Sequence, residues 1–308
     1  MIKHSNRWFV VCVALATSIA SAAAPTDKQK HFTTPDDAVE ALIGASRANN
    51  AHQLRVILGA EGVKLIRSGD SVEDRSGRSR FVAAYDAAHV IELEGEDKAV
   101  LNVGEEHWPL PIPLRKESSG WRFDTQAGVE EILNRRVGRN ELRVMEVCQT
   151  YVKAQQEYAA LQIGGRSEFA RQFKSTPGHQ DGLYWPAQQG EPESPLGPLV
   201  AQARAAGYVA HRGGTSDTTS RPFHGYYFRI LTAQGSHAPG GAASYLAGER
   251  LAHGFALIAY PATYGNSGVM TFVVNQLGIV FEKDLGPDTA RLAGQIEAYD
   301  PDASWRAP

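Results

Sequence analysis

Residues 125–161 read TQAGVEEILNRRVGRNELRVMEVCQTYVKAQQEYAAL, and the parsing of this stretch decides the fold. Leu142, Met145, Cys148, Val152, Gln155 and Ala159 recur at helical spacing, with Val144, Val147, Tyr151 and Tyr158 beside them. That pattern predicts a long amphipathic helix. The preceding residues predict a separate helix running to about Arg136. Gly138 is placed to end it, because glycine adopts the left-handed conformation that closes helices. Asn140 is placed to cap the next one through its side-chain oxygen. The expected domain boundary therefore falls near Val137.

Upstream, TTPDDAVEALIGASRANN (33–50) opens with a helix start: Thr34 can cap, Pro35 suits the first helical position, and Asp36 and Asp37 sit at the positive end. AHQLRVILG (51–59) and EGVKLIRSG (61–69) read as shorter helices stopped by Gly59 and Gly69, and DRSGRSRFVAAYDAA (74–88) as a further short helical turn. From His89 the period becomes two. Ile91 and Leu93 lead through a turn to Ala99, Leu101 and Val103. WPLPIPLRK (108–116) carries prolines at 109, 111 and 113, which confine that strand to an edge. Trp121 and Phe123 share one face of the strand after it. Helices followed by a curved antiparallel meander make an α+β unit over residues 32–137, similar in element order to the NTF2-like fold.

Downstream, HGYYFRILTAQ (224–234), HGFALIAYPA (253–262), GVMTFVVN (268–275) and GIVFEKD (278–284) alternate as four strands of an antiparallel meander. A long helix packed on such a sheet, over residues 138–308, resembles the globular head of type IV pilins. The chain is thus expected to be α+β with two domains. Its 308 residues, 43% hydrophobic and 21% charged, suffice for two cores.

At the N-terminus Lys3 and Arg7 precede the apolar run WFVVCVALATSIASAAA, which ends in small residues before Pro25. This is the pattern of a signal peptide over residues 1–24, followed by a polar tail over 25–31. The run is about 17 residues and rich in Ala, Ser and Thr, which disfavours a stable membrane span. A periplasmic or secreted location is expected. Removal of the leader would leave Cys148 as the one cysteine, read as a small buried apolar side chain. A net charge of -3 with no block of like charges excludes a nucleic-acid surface.

The motifs SGDSVEDRSGRSRF, WPLPIPL, GWRFDT, RVGRNEL, DGLYWP, GEPESPLGPL, HGYYFRILTAQG, GFALIAYPATYGNSGVMTFVV and VFEKDLG together resemble a family of exported bacterial proteins, domain of unknown function 2950. The resemblance runs from about Phe32 to Trp305. It implies no activity, cofactor or catalytic residue.

The ten histidines form no short metal-binding pair, and no Gly-x-Ser-x-Gly elbow occurs. No cofactor, metal ligand or catalytic residue is assigned. The stretch HQDGLYWPAQQGEPESPLGPL (179–199) carries the residue types of a recognition loop. Candidate binding residues are Asp181, Tyr184, Trp185 and Glu191, with His224 at the start of a strand. The plainer reading has Asp181 forming a turn before Gly182 while Tyr184 and Trp185 seal the sheet. The leading expectation is a non-enzymatic envelope or extracellular binding protein, its partner another envelope protein or a glycan. The alternative is a glycan or cell-wall hydrolase using Asp181 and Glu191, since paired carboxylates cleave glycosidic bonds. A third expectation is a closed apolar pocket in the first unit, lined by Trp121, Phe123 and Leu101.

Overall fold

The computed structural model describes residues 28–187, 190, 192–208 and 221–308. The leader and Glu191 lie outside these residues. The helical layer of the first half comprises α1 (Pro35–Arg47), α2 (Ala51–Leu58), α3 (Val63–Ile66) and α4 (Ser71–Ala87). Thr34 and Asp37 form a reciprocal capping box at the start of α1, and Asn50 caps α2. The helix α4 is 17 residues long, far more than the short turn expected from its polar sequence. Its N-cap is Asp70; Val82 is its one buried residue, and half-buried Phe81 and Tyr85 pack it onto the first core.

The strands β1 (His89–Leu93), β2 (Lys98–Val103), β3 (Trp108–Pro109), β4 (Leu114–Glu117) and β5 (Gly120–Phe123) form an antiparallel sheet. Its order is β1-β2-β4-β5, with β3 also on β2. The proline run is not a strand beyond Pro109, because three missing N–H donors leave too little to sustain a ladder. Phe32 adds one more bridge, exchanging backbone hydrogen bonds with Trp121. Gln29, in the expected polar tail, donates to the carbonyls of Ile57 and Phe123 and so ties the chain start to this layer.

The helix α5 (Thr125–Ala160) is continuous over 36 residues, which corrects the expected break at Gly138 and the cap at Asn140. The reason lies in its polar middle. Arg136 donates to the carbonyls of Lys64 and Leu65, Asn140 to that of Ser267, and Arg143 to Glu73. Glu141 accepts from the backbone N–H groups of Val269 and Met270. A stretch that looks like a linker is instead satisfied on both sides by tertiary hydrogen bonds.

The second half adds α6 (Gly197–Ala205), β6 (Tyr226–Leu231), β7 (Ala233–Gln234), β8 (Ala243–Ser244), β9 (Leu246–Ala247), β10 (Arg250–Leu251), β11 (Ala256–Pro261), β12 (Met270–Asn275), β13 (Val280–Asp284) and α7 (Thr289–Gln295). The main sheet has the order β13-β12-β11-β6, a meander of antiparallel neighbours. Ala256, Leu257, Ile258 and Ala259 are all fully buried, so both faces of β11 are covered, with α5 and α7 both packed on it. Each half has its own hydrophobic cluster, one from Phe32 to Phe123 and one from Val144 to Tyr299. Architecture is therefore α+β, with two cores and one helix entering both.

Cys148 is fully buried among apolar neighbours, and desolvation pushes its thiol up to about 12. It is a packing residue, as its helical spacing indicates. Gln155, also fully buried, accepts from the Ala170 N–H and donates to the Ala170 carbonyl, and it donates to Tyr151 Oη as well. A polar side chain on the core face of α5 thus docks the loop that follows it.

Candidate functional site

The helices α4 and α5 face each other across a cavity of about 360 Å³ in the first half. Leu54, Leu58, Ile66, Phe81, Ile112 and Ile132 give it apolar walls. Residues 132, 135, 136, 139 and 140 of α5 all line it, which is one helix face at steps of three and four. The expected lining is corrected here. Trp121, Phe123 and Leu101 are packed into the core and do not reach the cavity. They lie on the sheet, whereas the cavity is enclosed by the helical layer and the 110–112 segment.

Five arginines, at 78, 80, 135, 136 and 139, line the same cavity against two carboxylates, Glu73 and Asp74. Most of these cations are committed. Arg78 donates to Asn49 and to the Ile66 carbonyl, Arg135 pairs with Glu131, and Arg136 closes the end of α3. Arg80 donates to Ser76 and lies 3.6 Å from Glu73. Arg139 makes no hydrogen bond or ion pair among the described residues. Desolvation, and then repulsion from Arg80 and Arg143, lower its pKa. The neighbouring Asn140 is 2% exposed, and its amide nitrogen is bound to the Ser267 carbonyl at 2.9 Å. Its Oδ1 has no partner, one of two such buried side-chain atoms among the described residues.

Beside the cavity, the N-terminus of α4 is clamped to the second half. Asp70 Oδ1 accepts from the N–H groups of Val72 and Glu73, and Oδ2 from Tyr208 Oη at 2.8 Å and the Gly225 N–H at 3.0 Å. Glu73 Oε1 lies 3.1 Å from His224 Nδ1 and 2.8 Å from Arg143. The hydrogen bond from His224 is the largest influence on this carboxyl. Together with the nearby arginines, it outweighs desolvation and brings the carboxyl down to about 2. The Asp-x-x-Glu spacing at 70–73, a helix-start pattern, is the sequence signal that could have located this clamp.

A folded carboxyl held below its ordinary value stabilises the protein above that ordinary value and loses the contribution as pH falls. Glu73 should therefore contribute ~2 kcal/mol, after discounting for solvent screening, present above about pH 4.5 and lost as pH drops through about 2. Thermal melts at stepped pH should show Glu73→Gln converging on the parent at the acid end. A constant gap between the two curves would contradict this role.

The residues singled out by sequence are not brought together. His224 belongs to the clamp, with φ of 51° and its ring against Glu73. Asp181 lies elsewhere, and both its oxygens accept from Thr176, from the backbone N–H and from Oγ1, each at 2.7 Å. Desolvation is the largest single influence on its carboxyl and acts upward, but these hydrogen bonds together hold it below its ordinary value. Tyr184 is half-buried and receives Arg204 on its hydroxyl. Trp185 is buried, packs edge-on against Tyr158 and donates to the Pro192 carbonyl. The loop docks on α5 through the Tyr158 hydroxyl, which donates to the Gln180 carbonyl. Among the described residues no group of three or more His, Cys, Asp or Glu could hold a metal ion. No helix among them is long and apolar enough to cross a membrane.

Fold and site define an α+β protein with two cores, a polar clamp between its halves and a basic-rimmed apolar cavity in the first. The chain belongs to the family described as protein of unknown function (DUF2950), which it matches over residues 29–307. No curated protein and no solved structure matches it.

Proposed function

We propose that this is an exported, non-enzymatic binding protein that takes a small apolar ligand into the cavity between α4 and α5. The observation that carries the reading is the cavity itself. Its volume of about 360 Å³ lies within the range of small-molecule sites, and its apolar walls are rimmed by charged and polar side chains. The leader-like N-terminus supports a periplasmic or secreted setting. The helices over a curved sheet support an NTF2-like first unit, and α5 on the β6–β13 sheet supports a pilin-head-like second one. Burial of Leu183 and Trp185 favours the cavity over the 179–199 loop as the ligand site.

The test uses the neutral fluorophore N-phenyl-1-naphthylamine. The parent should enhance its emission at one saturable site. Ile132→Trp, which fills the cavity from α5, should remove the enhancement, and so should Gly77→Leu from α4. A Cβ at Gly77 meets nothing nearer than the Arg80 guanidinium at 3.8 Å, so that variant leaves the backbone undisturbed. Enhancement that survives both fillings would place the fluorophore elsewhere and sink the reading.

A further inference from the structure

Building on the cavity as the ligand site, we infer that Ser46 is its polar anchor and that the ligand is an apolar molecule with an uncharged carbonyl or hydroxyl oxygen, as in a ketone, ester or alcohol. The sequence of α1 sets the problem. Its buried residues are Ala38, Val39, Leu42, Ile43, Ala45 and Ser46, so one hydroxyl sits at the end of an otherwise aliphatic face. Alanine there would be the better helix former and would bury no polar atom. Ser46 is 6% exposed and lines the cavity together with Leu42, one turn earlier on the same face.

A buried hydroxyl normally finds a partner, and a helical serine can find one in the carbonyl one turn back. Thr150 does so in α5, donating to the Glu146 carbonyl. Ser46 makes no such bond to Leu42, and its Oγ meets no other donor or acceptor among the described residues. Nor is that oxygen sealed in. The fully enclosed side-chain atoms without partners are Asn140 Oδ1 and Thr271 Oγ1 among the described residues, and Ser46 Oγ is not one of them. It keeps accessible surface, and the space it borders is the cavity. A hydroxyl both donates and accepts, so it matches a ligand carbonyl or hydroxyl equally well. An ionised head group drawn to this depth would exchange its water for one hydroxyl beside Leu42, and the desolvation would cost more than the bond returns.

The full mature chain, loaded with N-phenyl-1-naphthylamine, is titrated with hexylbenzene, hexanophenone, 6-phenyl-1-hexanol and 4-hexylbenzoate, and displacement is read by fluorescence. The first three share one carbon skeleton and differ only in their oxygen. Ser46→Ala should weaken the ketone, the alcohol or both by roughly five- to tenfold, the loss of one hydrogen bond. It should leave hexylbenzene and the benzoate within about twofold. The variant should melt at or above the parent temperature, because it removes a polar atom that the protein itself leaves unbonded. A clear drop in melting temperature would mean that the protein holds this hydroxyl, and overturns the inference. So do equal effects on all three neutral compounds, and a loss for the benzoate as large as for the ketone or alcohol. Hexylbenzene and the fluorophore separate the two readings. If neither binds the parent, the cavity reading fails and this inference with it. If both bind and Ser46→Ala spares ketone and alcohol alike, the cavity reading stands and the anchor falls.

Discussion

Asp70→Ala should lower stability by about 3–5 kcal/mol, a fall in melting temperature of roughly 10 °C for a chain of this size. The side chain is 2% exposed and satisfies four donors at once. Two are the free N–H groups at the start of α4, whose loss alone costs about 1 kcal/mol. The other two, Tyr208 Oη and the Gly225 N–H, come from the second half and would be left buried without an acceptor. Each such orphan costs about 1–3 kcal/mol. Asp70→Asn sharpens the test. The amide can still cap α4 through its oxygen, but its NH₂ would then face the Gly225 N–H and the tyrosine hydroxyl. It should fall between the parent and Asp70→Ala in thermal and denaturant melts. If Asp70→Ala melts with the parent, α4 is not held to the second half through this carboxylate.

Gly128→Ala should destabilise by about 3 kcal/mol, although replacing a helical glycine with alanine ordinarily stabilises by up to about 1 kcal/mol. Gly128 sits near the start of α5, pressed against the backbone of the 111–112 segment. A Cβ there would lie 2.2 Å from the Pro111 carbonyl oxygen and 2.7 Å from the Ile112 nitrogen. Backbone cannot rotate away as a side chain can. The segment must shift as a whole, and Leu110, Pro111 and Ile112 form one wall of the cavity. The same variant should therefore also weaken fluorophore binding. Gly77→Ala in α4 is the control, its Cβ making only an ordinary contact with the Arg80 guanidinium at 3.8 Å, and should gain about 0.5–1 kcal/mol. If both variants shift stability in the same direction, helix propensity rather than close packing governs the site.

Much of the fold was legible because its signals are local. Thr34 caps α1 as its Thr-x-x-Asp spacing indicates, and the alternation over 226–230, 255–259 and 270–274 marks strands that pair in the expected meander. Trp121 and Phe123 face the first core together, as period two requires. The break assigned to Gly138 and Asn140 shows where local signals stop. Those residues do favour a helix end, yet Arg136, Asn140, Glu141 and Arg143 find their partners on segments more than 60 residues away in sequence. No window of neighbouring residues contains that information. The polar α4 outruns its local signal for the same reason.

The candidate site was the least legible part. Asp181, Tyr184 and Trp185 drew notice by residue type, but Thr176, Arg204 and Tyr158 occupy them in the structure. Asn140 reads in sequence as a helix cap, and nothing in the sequence marks Arg139. The sequence by itself determined the α+β class, the two cores, the leader-like start and the family, because hydrophobic period and motif spacing are properties of the chain read in order. The tertiary structure alone decided that α5 is one helix, that Asp70 and Glu73 clamp the halves, and that Arg139 and Asn140 line a cavity rather than mark a helix end. Whether a polar group is satisfied depends on what surrounds it in space, and that is set only when distant segments pack.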